Sequence, residues 1–343
     1  MTTNTTYEQD ILQASQCAGL PWEELDGANI LVTGATGIIG SCLVDILMSR
    51  RGRGYRVFAM GRNEGRASRL FAKHMGDGGL HLVAHDVLEP LDCHTRFDFI
   101  VDAASGASPG VFAADPVGVL KTNIVGLANL LDYGLAHGMR RLLYVSSGEV
   151  YGEGDGSAFV ETSSGYVDPM RARSCYPSAK RAAETLCAAY ADQYDADVVV
   201  ARPAHVFGPQ FTEQDNRATA QFLRNAARGE NIVLKSAGAQ VRSWVYVVDC
   251  ATALLHVLLK GQGANAYNVA DPGATLSIRE MARAVADAAG VDVVFAAAEA
   301  AESKGYTPVT RSIFDVGKLR QLGWEPMGNV QENIAKTLKA VKI

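Results

Sequence analysis

The sequence predicts an α/β fold built on a doubly wound parallel sheet, with a smaller, interleaved C-terminal lobe. Short runs rich in Val, Ile and Leu alternate with helical segments from residue 30 to residue 201. Strands that are apolar on both faces are typical of a parallel sheet covered by helices on both sides. A glycine-rich turn, residues 34–40, directly follows the first of these runs. Because such a turn between a strand and a helix is typical of dinucleotide-binding sheets, the pattern indicates a Rossmann-type fold.

The elements follow one another in order along the chain. Strands are predicted at residues 30–32, 55–60, 81–84, 99–103, 142–146 and 198–201. Helices are predicted at residues 38–49, in the charged stretch that ends at residue 74, at 117–136 and at 177–194. After Gly208-Pro209, a polar stretch with Asp215, Asn216 and Arg217 precedes another helix. We expect strands at 245–248 and 267–269 to return to the main sheet, and a helix after Pro326.

These elements suggest two interleaved lobes, because 343 residues is about twice the commonest domain size. Residues 1–26 are interpreted as an N-terminal appendage. Residues 27–202, together with about 240–270, are expected to form a dinucleotide-binding domain. Residues from about 203 to 239, together with 271–343, are expected to form a substrate-binding lobe.

The composition narrows the classes of partner. The net charge is −5 and no Lys/Arg-rich run occurs, which argues against nucleic acid or an anionic membrane as the main partner. The six cysteines form no C-x-x-C pair, so neither a zinc site nor a disulfide framework is indicated. The N-terminus is polar and acidic, and no run of about 18 apolar residues occurs. We therefore expect a cytoplasmic protein that holds no metal and spans no membrane.

The turn after the first strand is predicted to bind a pyrophosphate. Glycines three residues apart allow a tight turn and a close approach of the backbone to the anion. The following helix directs its first N–H groups and its positive dipole end at the same place. The cofactor-binding residues predicted here are Gly34, Thr36, Gly37, Ile38, Ile39 and Gly40.

The end of the second strand leaves the choice between NAD and NADP open. An acidic residue there binds the ribose of NAD, whereas an Arg accommodates the additional phosphate of NADP. The chain has Arg62 at this place, and we expect it to contact the adenine or a phosphate. Asp86, at the end of the third strand, is placed to bind the adenine amino group. A solvated Arg62 and a strand-capping Asp86 are the structural alternatives.

Tyr176 and Lys180 are the strongest sign of catalysis. Four residues apart on a helix, their side chains lie on one face. A free Tyr titrates near pH 10, and a cation about 4 Å away supplies on the order of 4 kcal/mol toward the shift that a base needs. Upstream, Ser147 and Glu149 follow a predicted strand at its carboxyl end, where ligands bind in such sheets. We expect these four residues to carry out proton transfer.

Four segments, TGATGIIG, SSGEVYG, YPSAK and RPAHVFGP, stand in this order along the chain. In this combination the chain resembles the extended short-chain dehydrogenase/reductases, in particular their nucleotide-sugar epimerases, dehydratases and decarboxylases. The resemblance covers nearly all of the chain from about residue 27. Within that group the chain is most similar to UDP-glucuronate decarboxylases, through the segments HDVLEPL, AASGASP and RSCY.

The resemblance implies a tightly held NAD or NADP and a reaction on a nucleotide-diphospho-sugar through a transient 4-keto intermediate. Tyr176 would be the base, Lys180 its electrostatic and ribose-binding partner, and Ser147 the residue that positions the hydroxyl. Glu149 falls where dehydratases and decarboxylases carry a catalytic Glu. Further cofactor contacts implied by the matching segments are Val87, Ala103 and Ala104, and implied substrate contacts are Ser105, Ser108, His205, Arg242 and Arg311.

Two residues depart from the family pattern at the sugar. Gly148 replaces a Ser or Asp that most relatives have beside the Glu, which removes a polar contact. His205 replaces a substrate-binding Asn, and a His can gain a charge near a pH of about 6.5. By contrast, Arg242 and Arg311 suit a diphosphate, because the planar guanidinium binds phosphate bidentately.

The leading hypothesis is therefore an enzyme that decarboxylates UDP-glucuronate. A 4,6-dehydratase or a 4-epimerase is the alternative within the group, and an NAD(P)-binding regulator without catalysis is the alternative outside it. The predicted helices at 117–136 and 177–194 are rich in Ala, Gly and Leu. In the family this pair forms a four-helix bundle across a two-fold axis, so the resemblance also implies a homodimer.

Overall fold

The computed structural model describes residues 5–211, 215–296 and 309–341. Its main sheet consists of β1 (Asn29–Thr33), β2 (Arg56–Gly61), β3 (Leu80–Ala84), β4 (Phe99–Asp102), β5 (Arg141–Val145), β6 (Val198–Pro203) and β10 (Asn265–Val269). The seven strands are parallel, in the order β10-β6-β5-β4-β1-β2-β3. The chain moves outward from β1 in one direction and then in the other, so the predicted Rossmann-type sheet is confirmed.

Helices cover both faces of this sheet. One face carries α1 (Thr5–Ser15), α2 (Ile38–Ser49) and α9 (Val247–Lys260). The other carries α6 (Leu127–Ala136) and α7 (Cys175–Tyr194). Shorter helices of the same lobe are α3 (Glu64–Leu70), which packs into the core on the α2 face, and α4 (Pro109–Ala114) and α5 (Pro116–Lys121). Their apolar side chains fill two separate cores, one on each face of the sheet.

The smaller lobe is built around β9 (Val241–Tyr246), which pairs with β7 (His205–Phe207), β11 (Thr275–Ser277) and β13 (Arg311–Ser312). A separate pair is formed by β8 (Ile232–Leu234) and β12 (Val293–Phe295). The helices of this lobe are α8 (Ala218–Ala227), α10 (Ile278–Ala289), α11 (Gly317–Arg320) and α12 (Val330–Ala340). The lobe lies at the carboxyl edge of the main sheet and forms part of the wall of a cavity at that edge.

One predicted strand is wrong in its extent and in its sheet. The run 245–248 was expected in the main sheet, but β9 ends at Tyr246 and belongs to the smaller sheet, while Val247 and Val248 begin α9. A short apolar run does not distinguish a strand from a buried helix, and α9 is buried along most of its length. The strand expected at 267–269 does return to the main sheet, as β10 beside β6.

The helix predicted at 117–136 is interrupted. Between α5 and α6 the chain forms a π-helical turn, Thr122–Gly126, a feature that often marks functional sites. The turn brings the buried Asn123 toward the cavity, where its Nδ2 donates to the Ser105 hydroxyl at 3.1 Å. The Tyr144 hydroxyl donates to Asn123 Oδ1 at 3.0 Å, so the interruption holds a predicted substrate contact in place.

The N-terminal segment packs into the main core. Tyr7, Ile11 and Ala14 of α1 are buried with residues of α2 and α9. Asp10 accepts a hydrogen bond from Lys336 Nζ of α12 at 2.8 Å. This segment therefore joins the beginning of the chain to the C-terminal helix.

Within residues 5–211, 215–296 and 309–341, no helix is long and apolar enough to cross a membrane. In the same ranges, no group of three or more His, Cys, Asp and Glu side chains is arranged to hold a metal ion.

Candidate active site

The carboxyl ends of the main-sheet strands and the smaller lobe enclose a cavity of about 1020 Å³. Pockets for one small ligand measure about 300–1,000 Å³, so this cavity lies at the upper end of that range and is large enough for a dinucleotide. The predicted site residues that line it are Gly34, Gly37, Ile38, Ile39, Gly40, Ala103, Ser105, Ser108, Ser147, Glu149, Tyr176, Lys180, His205 and Arg242. Those outside its wall are Thr36, Arg62, Asp86, Val87, Ala104 and Arg311.

The glycine-rich turn fits a dinucleotide pyrophosphate. Gly34 has φ +59°, and a Cβ there would stand 2.4 Å from the carbonyl oxygen of Ala103, so a side chain is excluded. Gly37 caps the N-terminus of α2 and has no side chain to accept from the N–H groups of the first turn. Ile38, Ile39 and Gly40 line the cavity at this point. An anion placed there is stabilised by these N–H groups and by the helix dipole.

Tyr176 lies at the start of α7, with 7% of its surface exposed. Its ring stacks on Phe112 of α4, with the ring centroids 4.7 Å apart. Burial raises the pKa of Tyr176 to about 12, although a hydrogen bond with Ser147 acts in the opposite direction. The sequence analysis expects Lys180 to lower this pKa, and in the protein chain by itself burial is the larger influence and keeps the phenol protonated at neutral pH.

Lys180 lies one helical turn further along α7 and is buried. Its Nζ donates to the carbonyl oxygen of Val145 at 2.7 Å and stands 5.7 Å from the centre of the Tyr176 ring. Burial lowers the pKa of Lys180 to about 8, against an opposing influence from the Asp102 carboxylate. The Thr33 hydroxyl donates to Asp102 Oδ1 at 2.6 Å, and burial raises the pKa of this carboxyl.

The structure distinguishes the two adjacent serines after β5. The Ser146 hydroxyl is buried and donates to Glu184 Oε1 at 2.5 Å, and Glu184 is in turn paired with Arg202. Ser147 lines the cavity, and its Oγ accepts from the backbone N–H of Glu149 at 3.2 Å. Ser147 is therefore the serine available to a ligand, as the sequence predicted.

Glu149 lies in the short turn after β5, on the cavity wall. Both of its carboxylate oxygens accept from the Arg173 guanidinium, each at 3.1 Å. Beside it, a Cβ on Gly148 would overlap the ring of Phe314. The space that a side chain at residue 148 would need is thus taken by an aromatic ring from the smaller lobe.

The smaller lobe supplies His205 and Arg242 to the cavity. Arg242 is buried, and its guanidinium donates to the carbonyl oxygens of Val241 and Val309. His205 faces the cavity, where the surrounding protein and then the charges of Arg242 and Arg217 lower its pKa to about 3. The His205 side chain is nevertheless exposed to the open cavity, and the direction of this shift favours the neutral imidazole in the folded chain. Arg311 is exposed outside the cavity wall, whereas the next residue, Ser312, lines it, because successive residues of a strand point to opposite sides.

The predicted adenine contacts lie at the open end of the site. The Arg62 side chain is 81% exposed, and its Nη1 stands 3.8 Å from Asp86 Oδ2. Arg66 donates to the carbonyl oxygen of Thr36 at 2.8 Å, which ties α3 to the glycine-rich turn. Ala104 donates its N–H to Asp102, and Val87 packs against the π-helical turn at Gly126.

Sequence reasoning gave no role to three residues of the site. Asp102 lies near the end of the predicted apolar strand 99–103. An acidic residue at the carboxyl end of a buried strand is itself a sign of a functional site. Phe112 had no signal, because its role depends on stacking against Tyr176. Arg173 stood inside the segment RSCY, three residues before Tyr176, and its charge at a helix start was the available clue.

Comparisons with known proteins show the family to which this chain is related. The model of a family described as the NAD dependent epimerase/dehydratase family matches residues 30–270. UDP-glucuronic acid decarboxylase 1 of Xenopus tropicalis is 33% identical over 318 residues, 92% of this chain and 72% of that protein. UDP-glucuronic acid decarboxylase 6 of Arabidopsis thaliana is 34% identical over 306 residues, 89% of this chain and 86% of that protein.

Among solved structures, a dTDP-glucose 4,6-dehydratase from Streptomyces venezuelae with NAD bound has a TM-score of 0.79 at 27% identity, covering 91% of this chain and 96% of that one. These similarities confirm the resemblance found in the four sequence segments, the predicted enzyme class and its NAD cofactor. The chain belongs to the NAD dependent epimerase/dehydratase family.

Proposed function

We propose that this enzyme decarboxylates UDP-glucuronate by way of a transient 4-keto sugar. NAD, when bound, supplies reversible hydride acceptance at carbon 4 and a positive charge beside Tyr176. The glycine-rich turn with Gly34 and Gly37 holds its phosphates, and the dinucleotide lies in the lobe formed by residues 27–202 and about 240–270. The nucleotide sugar is held by residues from about 203 to 239 and 271–343, together with β9, which belongs to the smaller sheet and carries Arg242 as the buried cation for an anionic substrate.

Tyr176 and Ser147 handle the proton of the carbon-4 hydroxyl. Ser147 faces the cavity and binds that hydroxyl, while Tyr176 accepts its proton. Because burial raises the pKa of Tyr176 to about 12, the chain alone keeps the phenol protonated. Lys180, the charged group on the same helix face, stabilises the phenolate once it forms.

The observation that carries the choice of decarboxylation is the aromatic ring beside Glu149. A carboxylate on the carbon next to the new carbonyl leaves as carbon dioxide, with its bonding electrons accepted by the keto group, and this departure needs no acid. The same carbon then takes up a proton, for which Glu149 on the cavity wall is the acid–base group. Loss of a hydroxyl group as water does need an acid at the leaving oxygen. Gly148 supplies no acid, and the Phe314 ring occupies that space. The similarity to UDP-glucuronic acid decarboxylases over about 90% of the chain supports the same choice.

A 4,6-dehydratase is the second candidate. Glu149 lies on the cavity wall, and the structural similarity to a dTDP-glucose 4,6-dehydratase extends over 91% of this chain. In this case Glu149 would remove the proton next to the keto group, and water would have to leave without an acid from residue 148.

Mass spectrometry of products separates the candidates. Purified protein is incubated with UDP-glucuronate, UDP-glucose and dTDP-glucose, and NAD and NADP are supplied separately. Loss of carbon dioxide from UDP-glucuronate with NAD is expected. Loss of water from a glucose nucleotide instead would make the chain a dehydratase. No change of mass with any substrate would contradict the proposal and favour an epimerase or a non-catalytic NAD(P)-binding protein.

We also propose that the enzyme is a homodimer through a four-helix bundle of α5–α6 and α7. Support comes from the outer face of this helix pair, where Val117 and Val125 are 60% and 43% exposed. Ala182, Thr185 and Ala189 form an exposed stripe of small residues on α7, which permits close helix packing. Light scattering should give twice the mass of one chain at micromolar concentration, and Val125→Lys should shift it toward one chain. A wild-type mass of one chain would contradict the dimer.

A further inference from the structure

Arg173 pairs with Glu149 and packs on Phe112, and these two contacts join the two proton-handling residues of the site. Its guanidinium binds both oxygens of Glu149, each at 3.1 Å. Its Cζ lies over the Phe112 ring, 4.7 Å from the ring centre. Phe112 is buried, and its other neighbour is the Tyr176 ring, stacked at 4.7 Å with an interplanar angle of 24°. Glu149, Arg173, Phe112 and Tyr176 thus form a continuous column along the cavity wall.

The column fixes the Glu149 carboxylate more firmly than an ordinary surface pair. The Arg173 and Glu149 side chains are only 20% and 31% exposed. Two parallel hydrogen bonds from one guanidinium restrain the orientation of a carboxylate as well as its position. Arg173 lies in the turn Ala172–Ser174, directly before α7. The same stretch of backbone therefore sets the position of Arg173 and, three residues later, that of Tyr176.

We propose that Arg173 is a positioning residue, which holds the Glu149 carboxyl group oriented toward the carbon next to the keto group and at a fixed distance from Tyr176. The inference rests on the proposed function in one respect, namely that Glu149 carries a proton in the reaction. In this role Arg173 acts through Glu149 and needs no bond to the substrate. A long Lys in its place keeps the charge but loses the fork and the stacking on Phe112.

A double-mutant cycle tests this. Arg173→Gln is expected to lower kcat by about 10- to 100-fold, as for loss of an oriented acid–base group, with KM changed by less than about threefold. In the Glu149→Gln background the same substitution should have almost no further effect, because the residue it positions is already gone. Arg173→Lys should recover part of kcat. Arg320→Gln is the matched control, because Arg320 forms a similar fork with Glu325, at 2.9 and 2.8 Å, in an exposed place outside the cavity.

An increase of KM with kcat unchanged, or losses that add in the double variant, would show that Arg173 binds the substrate directly and would overturn the inference. The cycle is measured on whichever turnover the wild-type enzyme shows. Water loss in place of carbon dioxide loss would therefore contradict the proposed function and still leave the inference to be decided by the cycle. Binding of NAD, followed by quenching of Trp fluorescence, should be equal in wild type and Arg173→Gln, and a loss there would mean that the variant has disturbed the fold.

Discussion

The two ends of the cavity are built in different ways. At the sugar end, Tyr176 and Lys180 are 7% and 2% exposed and are held by contacts from several elements. At the adenine end, Arg62 is 81% exposed and meets Asp86 at 3.8 Å. Burial shifts pKa values at the first end, while solvent screens the charges at the second. Substitutions of similar chemistry should therefore have large effects at one end and small effects at the other.

The largest effect is expected at Tyr176. Tyr176→Phe removes the hydroxyl and keeps the ring that stacks on Phe112, so kcat should fall by about 10²- to 10⁴-fold while NAD binding is retained. Turnover is measured by product mass and NAD binding by fluorescence. Tyr194→Phe, on the exposed end of the same helix, is the control and should leave turnover unchanged. Unchanged turnover in Tyr176→Phe would remove this residue from the proposed mechanism.

Gly34 is expected to show the next largest effect. A methyl group there meets the Ala103 carbonyl oxygen at 2.4 Å, at a φ of +59°. Gly34→Ala should cost roughly 3 kcal/mol or more of unfolding free energy, the sum of backbone strain and overpacking, and should abolish NAD binding. Gly52→Ala separates the two causes: Gly52 has φ +66°, and within the described ranges no atom stands within 4 Å of its Cβ position. It should cost only about 1–2 kcal/mol, as measured by urea unfolding. Equal losses in the two variants would mean that strain alone acts at Gly34.

The sequence predicted well those features that local order determines. The turn around Gly37 and the spacing of Tyr176 and Lys180 follow from a strand, a helix start and a helical repeat, and the structure brings all three residues to one cavity. The strand predicted at 245–248 was wrong in its extent, because an apolar run does not by itself show where a strand ends and a buried helix begins.

Properties that depend on contacts between distant parts of the chain were not predictable in this way. The pKa of Tyr176 rises because the fold buries the phenol, and Phe112, 64 residues earlier, covers its ring. Likewise, the sequence shows only that Gly148 brings no polar side chain to the site. The structure adds that the Phe314 ring occupies the space beside it. The chemistry-bearing residues were therefore identified from motifs, but their environments were not.

His205, whose side chain is exposed to the open cavity, tests how far the surroundings control the charge of a side chain at the sugar end. With its pKa lowered to about 3, His205 stays neutral in the folded enzyme where an unfolded His, with a pKa near 6.5, takes up a proton. Folding stability should therefore fall as the pH drops from about 6.5 toward 3, and His205→Asn should lose less stability over that window. Urea unfolding at pH 7.5 and pH 5 measures this. Turnover should keep the same pH profile in the variant, and a wild-type step near pH 6.5 that disappears in His205→Asn would show that the imidazole does titrate.

The smallest effect is expected at Arg62, and it sharpens the contrast between the two ends. An exposed charge pair contributes about 0–1 kcal/mol, so Arg62→Ala should weaken NAD binding by no more than about fivefold. The affinity for NADP should fall further than that for NAD, because the guanidinium favours the additional phosphate. Titration of both dinucleotides against wild type and variant, at low and at high salt, measures this difference. A hundredfold loss of NAD affinity that does not depend on salt would contradict this expectation. It would mean that Arg62 is buried against the bound cofactor, as Tyr176 is buried in the free protein, and that the adenine end closes when the cofactor binds.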